Sequence, residues 1–303
     1  MYQQHFGLKE LPFSLTPDTS YFYQYPDHQE ALNVLLVALE MNEGFLKVTG
    51  EVGTGKSLIC RKLLNLLSDR GLVTAYIPNP VLGPGELRHA LADELGIEHD
   101  PAAPEHQMLQ LINEELIRLR YERKQVVLLI DEAQALPDES LEAIRLFTNL
   151  ETEKTKLLHV VLFGQPELDV RLNRPTARQL RQRITFSHKL KPMSRAGAGG
   201  YLSHRLQVAG YKDSDLFDDR AVSALHRGSD GIPRLMNIIA HKSLLAAYGE
   251  GTQRINRRLV LRAIRDTEGA AAGMPPLRSL LFNPRGFTVS MAVWACLIPS
   301  IGL

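Results

Sequence analysis

Cysteine is scarce in this chain of 303 residues, where only Cys60 and Cys296 occur. The two lie far apart and outside any metal-ligand spacing, so neither a disulfide framework nor a zinc site is expected. The ten histidines form no H-E-x-x-H motif or comparable cluster. This usage fits a protein that works in a reducing cytoplasm.

An excess of charge is absent as well, because 35 basic residues face 34 acidic ones and the net charge is +1. No global field draws the molecule toward nucleic acid or anionic lipid, so such a partner would have to meet a local patch. Residues 1–17 lack a basic stretch followed by an unbroken apolar one, since Pro12 and Pro17 interrupt it. We therefore expect no secretory signal peptide and a cytoplasmic location.

Long hydrophobic runs are rare before the last residues, and the apolar runs that occur are short and rich in Val, Ile and Leu. They alternate with stretches of helical periodicity, which predicts an α/β fold with a parallel sheet covered by helices. The predicted strands are Phe45–Val48, Val73–Ile77, Val126–Ile130, Leu157–Phe163 and Ile184–Lys189. The predicted helices between them are Lys56–Ser68, Glu86–Leu95, His106–Tyr121 and Glu139–Leu150.

After Pro192 the strand-like runs stop and helical periodicity continues, which predicts a smaller all-helical domain. Its predicted helices are Tyr201–Ala209, Asp218–Arg227, Pro233–Tyr248 and Asn256–Thr267. The predicted divisions are an N-terminal linker region (1–40), a core (41–192), a helical domain (193–268), a second linker (269–286) and an apolar tail (287–303).

A glycine-rich segment, Gly50–Ser57, follows the first predicted strand and satisfies the pattern G-x-x-x-x-G-K-[ST]. In this context its backbone N–H groups can surround phosphate oxygens, Lys56 can reach the terminal phosphates, and the Ser57 hydroxyl can bind Mg²⁺. The sequence therefore predicts an ATP site of the P-loop type, or Walker A motif. Its expected members are Gly50, Glu51, Val52, Gly53, Thr54, Gly55, Lys56, Ser57 and Leu58.

Two carboxylates, Asp131 and Glu132, end the buried strand Val126–Ile130. A parallel strand places them at the edge of the sheet that carries the phosphate loop, as in a Walker B motif. We expect Asp131 to hold the water shell of Mg²⁺, so that Ser57 and Asp131 form the metal site. Glu132 is expected to polarise the attacking water, which favours hydrolysis over binding alone.

Several segments together resemble the ExeA/GspA-type AAA+ ATPases, and the likeness runs from about residue 6 to residue 267. The segments that carry it are 6–8, 12–13, 131–134, 150–153, 163–168 and 231–234. The resemblance implies a P-loop AAA+ core with a helical lid, ATP and Mg²⁺ as cofactors, and a homo-oligomer. It also implies a part in assembling type II secretion or type IV pilus proteins at the cytoplasmic face of the bacterial inner membrane.

The resemblance further assigns three catalytic roles. Gln165 corresponds to the polar sensor of the γ-phosphate, and Arg234 to the second sensor, carried by the lid. Arg183 corresponds to the arginine finger that reaches a neighbouring subunit's nucleotide, with Arg178 and Arg181 as rivals in the same cluster. A turn residue and a solvated basic face are the plainer interpretations of Gln165 and of the arginines.

One segment departs from the family pattern, because glycines 197, 199 and 200 stand where a strong helix start is usual. Each glycine weakens a helix by roughly 1 kcal/mol, so the first lid helix is expected to begin late or fray.

The charge pattern near the end leaves alternatives open. Five arginines between Arg254 and Arg265 make one helical face basic, which suits either a solvated lid helix or contact with nucleic acid or a membrane surface. The tail Phe287–Leu303 has no charged residue and is at the lower edge of a membrane span. Two rivals to an ATP-driven assembly factor remain. One is a DNA-handling ATPase, since transposition regulators and replication initiators share this core, and the other is a nucleotide-gated scaffold, in which ATP binding alone switches partner affinity.

Overall fold

The computed structural model describes residues 2–151, 155–213 and 215–270. In these ranges five strands form one parallel sheet in the order β2-β3-β4-β1-β5. The strands are β1 (Phe45–Thr49), β2 (Val73–Ile77), β3 (Val126–Ile130), β4 (Leu158–Gly164) and β5 (Phe186–Lys189). The prediction of a parallel α/β fold is confirmed, and each strand lies within two residues of its predicted bounds.

The burial of each strand follows from its position in the sheet. Every residue of β3 and β4 is buried, because helices cover both faces of these inner strands. Only alternate residues of the edge strand β5 are shielded. Since β1, β3 and β4 are neighbours, their carboxyl ends meet at one edge of the sheet, and this edge carries the candidate site.

Eight helices in the described ranges precede or cover the sheet, with three-residue 3₁₀ helices at Thr19–Tyr21, Ala133–Ala135 and Pro175–Ala177. They are α1 (Tyr2–His5), α2 (Pro26–Glu40), α3 (Lys56–Asp69), α4 (Pro84–Glu94), α5 (Glu105–Tyr121), α6 (Asp138–Phe147), α7 (Pro166–Leu172) and α8 (Arg178–Arg183). Helices α2 and α3 bury their apolar residues against one face of the sheet. Helices α4, α5 and α6 cover the other face.

Four further helices form the lid around an apolar core of their own. They are α9 (Arg195–Val208), α10 (Asp219–Ser229), α11 (Pro233–Gly249) and α12 (Arg257–Arg265). Asn256 caps α12 by accepting a hydrogen bond from the Leu259 amide.

Residues 2–40, predicted as a linker, are instead packed into both parts of the molecule. Phe6, Phe13 and Tyr21 are buried in the apolar core of the lid. Helix α2 is buried against β1 and α3 through the apolar residues Ala31, Leu32, Leu35, Ala38 and Leu39. The helical spacing of these residues is visible in the sequence, so the prediction of a linker overlooked an amphipathic helix.

Helix α9 also differs from its prediction, because it begins at Arg195 and contains all three glycines. Ser194 caps it by accepting a hydrogen bond from the Gly197 amide at 3.1 Å. An added Cβ would lie 2.5 Å from Tyr25 Cε2 at Gly197, and 2.3 Å from the Tyr23 hydroxyl at Gly200. The glycines thus let two tyrosines pack on the helix, a contact between distant segments that offsets the weak propensity.

The predicted tail 287–303 and residues 152–153 of the family-like segment 150–153 lie outside the described residues. Among the helices of the described ranges, none has both the length and the hydropathy that crossing a membrane would require.

Candidate nucleotide site

The glycine-rich segment joins the end of β1 to the start of α3, which begins at Lys56. Gly53 and Gly55 have φ of +82° and +101°, a conformation that side chains with a Cβ rarely adopt. These two positions turn the loop so that it ends at the positive end of the helix dipole, where an anion is stabilised.

Lys56 is 4% exposed, and its Nζ donates to the carbonyl oxygens of Gly50 at 2.8 Å and Glu51 at 3.0 Å. Burial lowers the pKa of its ammonium group, while the charges of Glu132 and Asp131 oppose that shift. The charged end of the side chain therefore points into the loop, where terminal phosphates would need a cation.

A buried histidine supports the loop through a hydrogen bond to its backbone. His28 of α2, 4% exposed, donates from Nε2 to the Thr54 carbonyl at 3.0 Å, and the Thr54 hydroxyl donates to Glu51 O at 2.8 Å. Burial lowers the pKa of His28, which favours the neutral ring. Sequence reasoning missed His28 because it lies far from the motif that it contacts.

Asp131 lies close enough to Ser57, in the first turn of α3, for the Ser57 hydroxyl to favour its charged form. Asp131 is 4% exposed, and burial raises its pKa although the Ser57 hydroxyl and the hydrogen bond from the Glu132 amide counteract this. A hydroxyl and a carboxylate are the oxygen ligands that Mg²⁺ prefers. Their proximity fits a cation shared between the two side chains.

Glu132 stands next to this pair in the left-handed region, with φ of 49°. Its Oε2 accepts hydrogen bonds from Gln134 Nε2 at 2.5 Å and from Gln165 Nε2 at 3.0 Å. Burial alone would raise the pKa of this carboxyl, but the two amide donors and the Lys56 charge outweigh it and lower the pKa. Glu132 is therefore held as an ionised base beside the phosphate loop.

The lid touches the loop through Arg234, whose backbone N–H donates to Gly53 O at 3.2 Å. A Cβ on Gly53 would lie 2.6 Å from the Arg234 Cβ, so this close approach depends on glycine. The start of α11 thus rests directly on the loop.

A cavity of about 360 Å³ is lined by Lys56, Ser57, Glu132, Gln165 and Arg234. The core, the lid and the N-terminal segment all contribute to its lining. Leu15 and Val52 present half-exposed apolar side chains here. Buried Arg205 of α9 ties the N-terminal segment to the lid by donating to the carbonyls of Pro12 and Ser14. The sequence did not predict this part of the cavity lining, because it is built by residues that are nearly 200 positions apart.

The three arginines of α8 lie away from the cavity and differ in their contacts. Arg183 is half-buried and donates from Nη1 to the Thr148 hydroxyl at 2.9 Å. Arg181 is exposed and donates to Asn173 Oδ1 at 2.9 Å. Arg178 is also exposed. The predicted finger therefore does not serve the nucleotide cavity of its own chain.

Comparison with known proteins agrees with this arrangement. A family model described as an AAA domain matches residues 39–172. The chain is 44% identical over 255 residues to the General secretion pathway protein A of Aeromonas hydrophila, covering 84% of this chain and 46% of that protein. It thus spans about half the length of that curated relative.

Solved structures share the fold at low sequence identity. Cdc6p of Pyrobaculum aerophilum is 19% identical, with a TM-score of 0.64 over 88% of this chain and 74% of its own. The RuvB Holliday junction branch migration motor of Thermotoga maritima is 14% identical, with a TM-score of 0.53 over 85% and 74%. The chain has the P-loop AAA+ fold with an AAA domain, and its likeness to General secretion pathway protein A supports the resemblance to the ExeA/GspA-type AAA+ ATPases.

Proposed function

We propose that this protein binds ATP with Mg²⁺ and hydrolyses it to assemble or remodel a component of a type IV pilus or a type II secretion system. In the pilus case it would act like MshM, the ATPase of MSHA pilus biogenesis. The proposed location is the cytoplasmic face of the bacterial inner membrane. The observation that carries the hydrolytic part is the position of Glu132 beside the phosphate loop, with one carboxylate oxygen hydrogen-bonded by Gln134 and Gln165.

In this proposal the loop amides and Lys56 bind the phosphates, and Ser57 and Asp131 hold Mg²⁺. Glu132 accepts a proton from a water molecule whose oxygen attacks the γ-phosphorus, so that the bond to ADP breaks and phosphate leaves. Bound Mg²⁺ would neutralise charge on the phosphates. Gln165 and Arg234 would contact the γ-phosphate as sensors from the core and the lid.

The test compares Glu132→Gln with Glu139→Gln, a matched change of an exposed glutamate on α6. Glu132→Gln should bind ATP with wild-type affinity in calorimetry but release no phosphate at steady state, because its amide cannot take the proton. Glu139→Gln should behave as wild type. Normal turnover by Glu132→Gln would contradict the assigned role.

The assembly role rests on the likeness to the Aeromonas secretion protein, and a membrane pull-down with Glu132→Gln tests it. Enrichment of inner-membrane pilus or secretion proteins, only with ATP present, is expected. If the same variant complements a null strain, the nucleotide-gated scaffold is favoured instead, because binding alone would then suffice.

DNA handling is a second candidate, favoured by a groove of about 650 Å³ between the start of α10 and α12. It is lined by Arg220, Arg257, Arg258, Arg262 and Arg265. Glu250 forms ion pairs with two of these arginines, at positions 258 and 262. A mobility shift with duplex DNA that weakens steeply with added salt would support this candidate. The absence of a shift at low salt would exclude it.

A further inference from the structure

Gln134 lies two residues after Glu132, and its amide can adopt only one orientation. The Gln165 backbone N–H donates to it at 2.9 Å, so the atom at that contact must be Oε1. The other end of the amide, Nε2, then faces Glu132 Oε2 at 2.5 Å. A single side chain thus links the carboxylate of one strand end to the main chain of the next.

The backbone of Gln134 is fixed as well. It belongs to the 3₁₀ helix Ala133–Ala135, and its carbonyl accepts a hydrogen bond from Arg171 Nη1 at 2.8 Å. Arg171 of α7 is paired in turn with Asp138 at the start of α6. The backbone of Gln134 is therefore held by Arg171 and Asp138, neither of which lines the nucleotide cavity.

The two amides that contact Glu132 are not equivalent. Gln165 Nε2 also donates to Oε2, at 3.0 Å, but in its proposed sensor role it must turn toward the γ-phosphate and leave the carboxylate. Gln134 is bound to the main chain of Gln165 rather than to its side chain, so its contact survives that turn. Because both donors use Oε2, Oε1 is left to accept the proton of a water molecule.

We propose that Gln134 is a positioning residue for ATP hydrolysis, which keeps the Glu132 carboxylate oriented while Gln165 exchanges partners. This inference rests on the proposed hydrolytic function. No other uncharged side chain of this length offers a donor and an acceptor together, and glutamate would set two carboxylates against each other.

The test is Gln134→Met, which keeps the length of the side chain and removes both hydrogen bonds. We expect kcat to fall by about tenfold to a hundredfold with unchanged ATP affinity, since the donor acts on the base rather than on the phosphates. The KM for ATP should keep its wild-type value, so that kcat and kcat/KM fall together. A merely structural role would disturb the phosphate loop as well and change the affinity for ATP.

Gln110→Met is the matched control, because Gln110 Nε2 donates to Glu114 at 2.8 Å on the exposed face of α5, a similar pair outside the site. It should leave both kcat and the KM for ATP unchanged. Gln134→Glu, which keeps an acceptor but has no donor and sets a carboxylate against Glu132, should lower kcat at least as far, and it serves if Gln134→Met does not fold.

A wild-type kcat in a folded Gln134 variant, or a loss of ATP affinity that accounts for the lower rate, would overturn the inference while the hydrolytic function stands. Absence of ATP hydrolysis by the wild-type protein would remove both.

Discussion

Gly197 and Gly199 lie two residues apart in α9, yet alanine at the two positions should change stability in opposite directions. An added Cβ at Gly197 would lie 2.5 Å from Tyr25 Cε2, whereas at Gly199 the nearest atom, Val222 Cγ1, is 3.7 Å away in ordinary contact. Tyr25 cannot retreat freely, because its hydroxyl accepts a hydrogen bond from the Ser194 amide at 3.0 Å.

The magnitudes follow from two terms. Alanine in place of a helical glycine gains about 0.5–1 kcal/mol at either position. The clash at Gly197 costs about 1–3 kcal/mol, typical of overpacking, so the net effect there is a loss of about 1 kcal/mol. The helical gain cancels in the comparison, and the difference between the variants isolates the steric cost.

Circular dichroism during thermal unfolding measures both variants. Gly199→Ala should raise Tm by about 1–3 °C, and Gly197→Ala should lower it by about 2–4 °C. Equal shifts in the two variants would show that Tyr25 does not pack on the helix as described, and the explanation of the glycine-rich start of α9 would be wrong.

Two further predictions concern the site. Burial lowers the pKa of His28 below its ordinary 6.5, so the unfolded chain binds a proton on this ring more tightly than the folded chain does. The free energy of unfolding should therefore decrease as the pH falls below 6.5, by up to about 1.4 kcal/mol per pH unit. His28→Gln, which keeps a donor for Thr54 O, should flatten that slope in urea titrations at several pH values; an unchanged slope would contradict it. Arg183→Ala should lower kcat by about 10³-fold or more, if Arg183 is the finger. Mixing Arg183→Ala with Glu132→Gln should restore turnover, because one subunit then supplies Glu132 and its neighbour supplies Arg183. If no mixing ratio restores turnover, Arg183 is not the arginine finger.

Much of the core was predictable because its signals are local. The strand Val126–Ile130 has the same bounds in the sequence interpretation and in the structure. A short, wholly apolar run that is followed by two carboxylates is typical of a buried strand. The glycine-rich loop is defined by contiguous residues. Its position between a strand and a helix follows from the same pattern.

The remaining features depend on contacts that no local pattern encodes. His28 reaches the carbonyl of Thr54 only because α2 packs beside α3. Gln134 meets Gln165 because parallel strands bring distant strand ends together. The glycines of α9 look unfavourable until tyrosines from the N-terminal segment occupy the space that they leave. Propensity gave the wrong helix start here, because tertiary packing outweighed it.

Calorimetric titration of the purified protein with ATP, with and without Mg²⁺, tests the central claim most directly. The site geometry predicts binding that strengthens with Mg²⁺, is lost in Lys56→Ala, and persists in Lys124→Ala, a change of an exposed lysine. A folded wild-type protein without Mg²⁺-dependent affinity for ATP, or equal affinity in the two lysine variants, would contradict it.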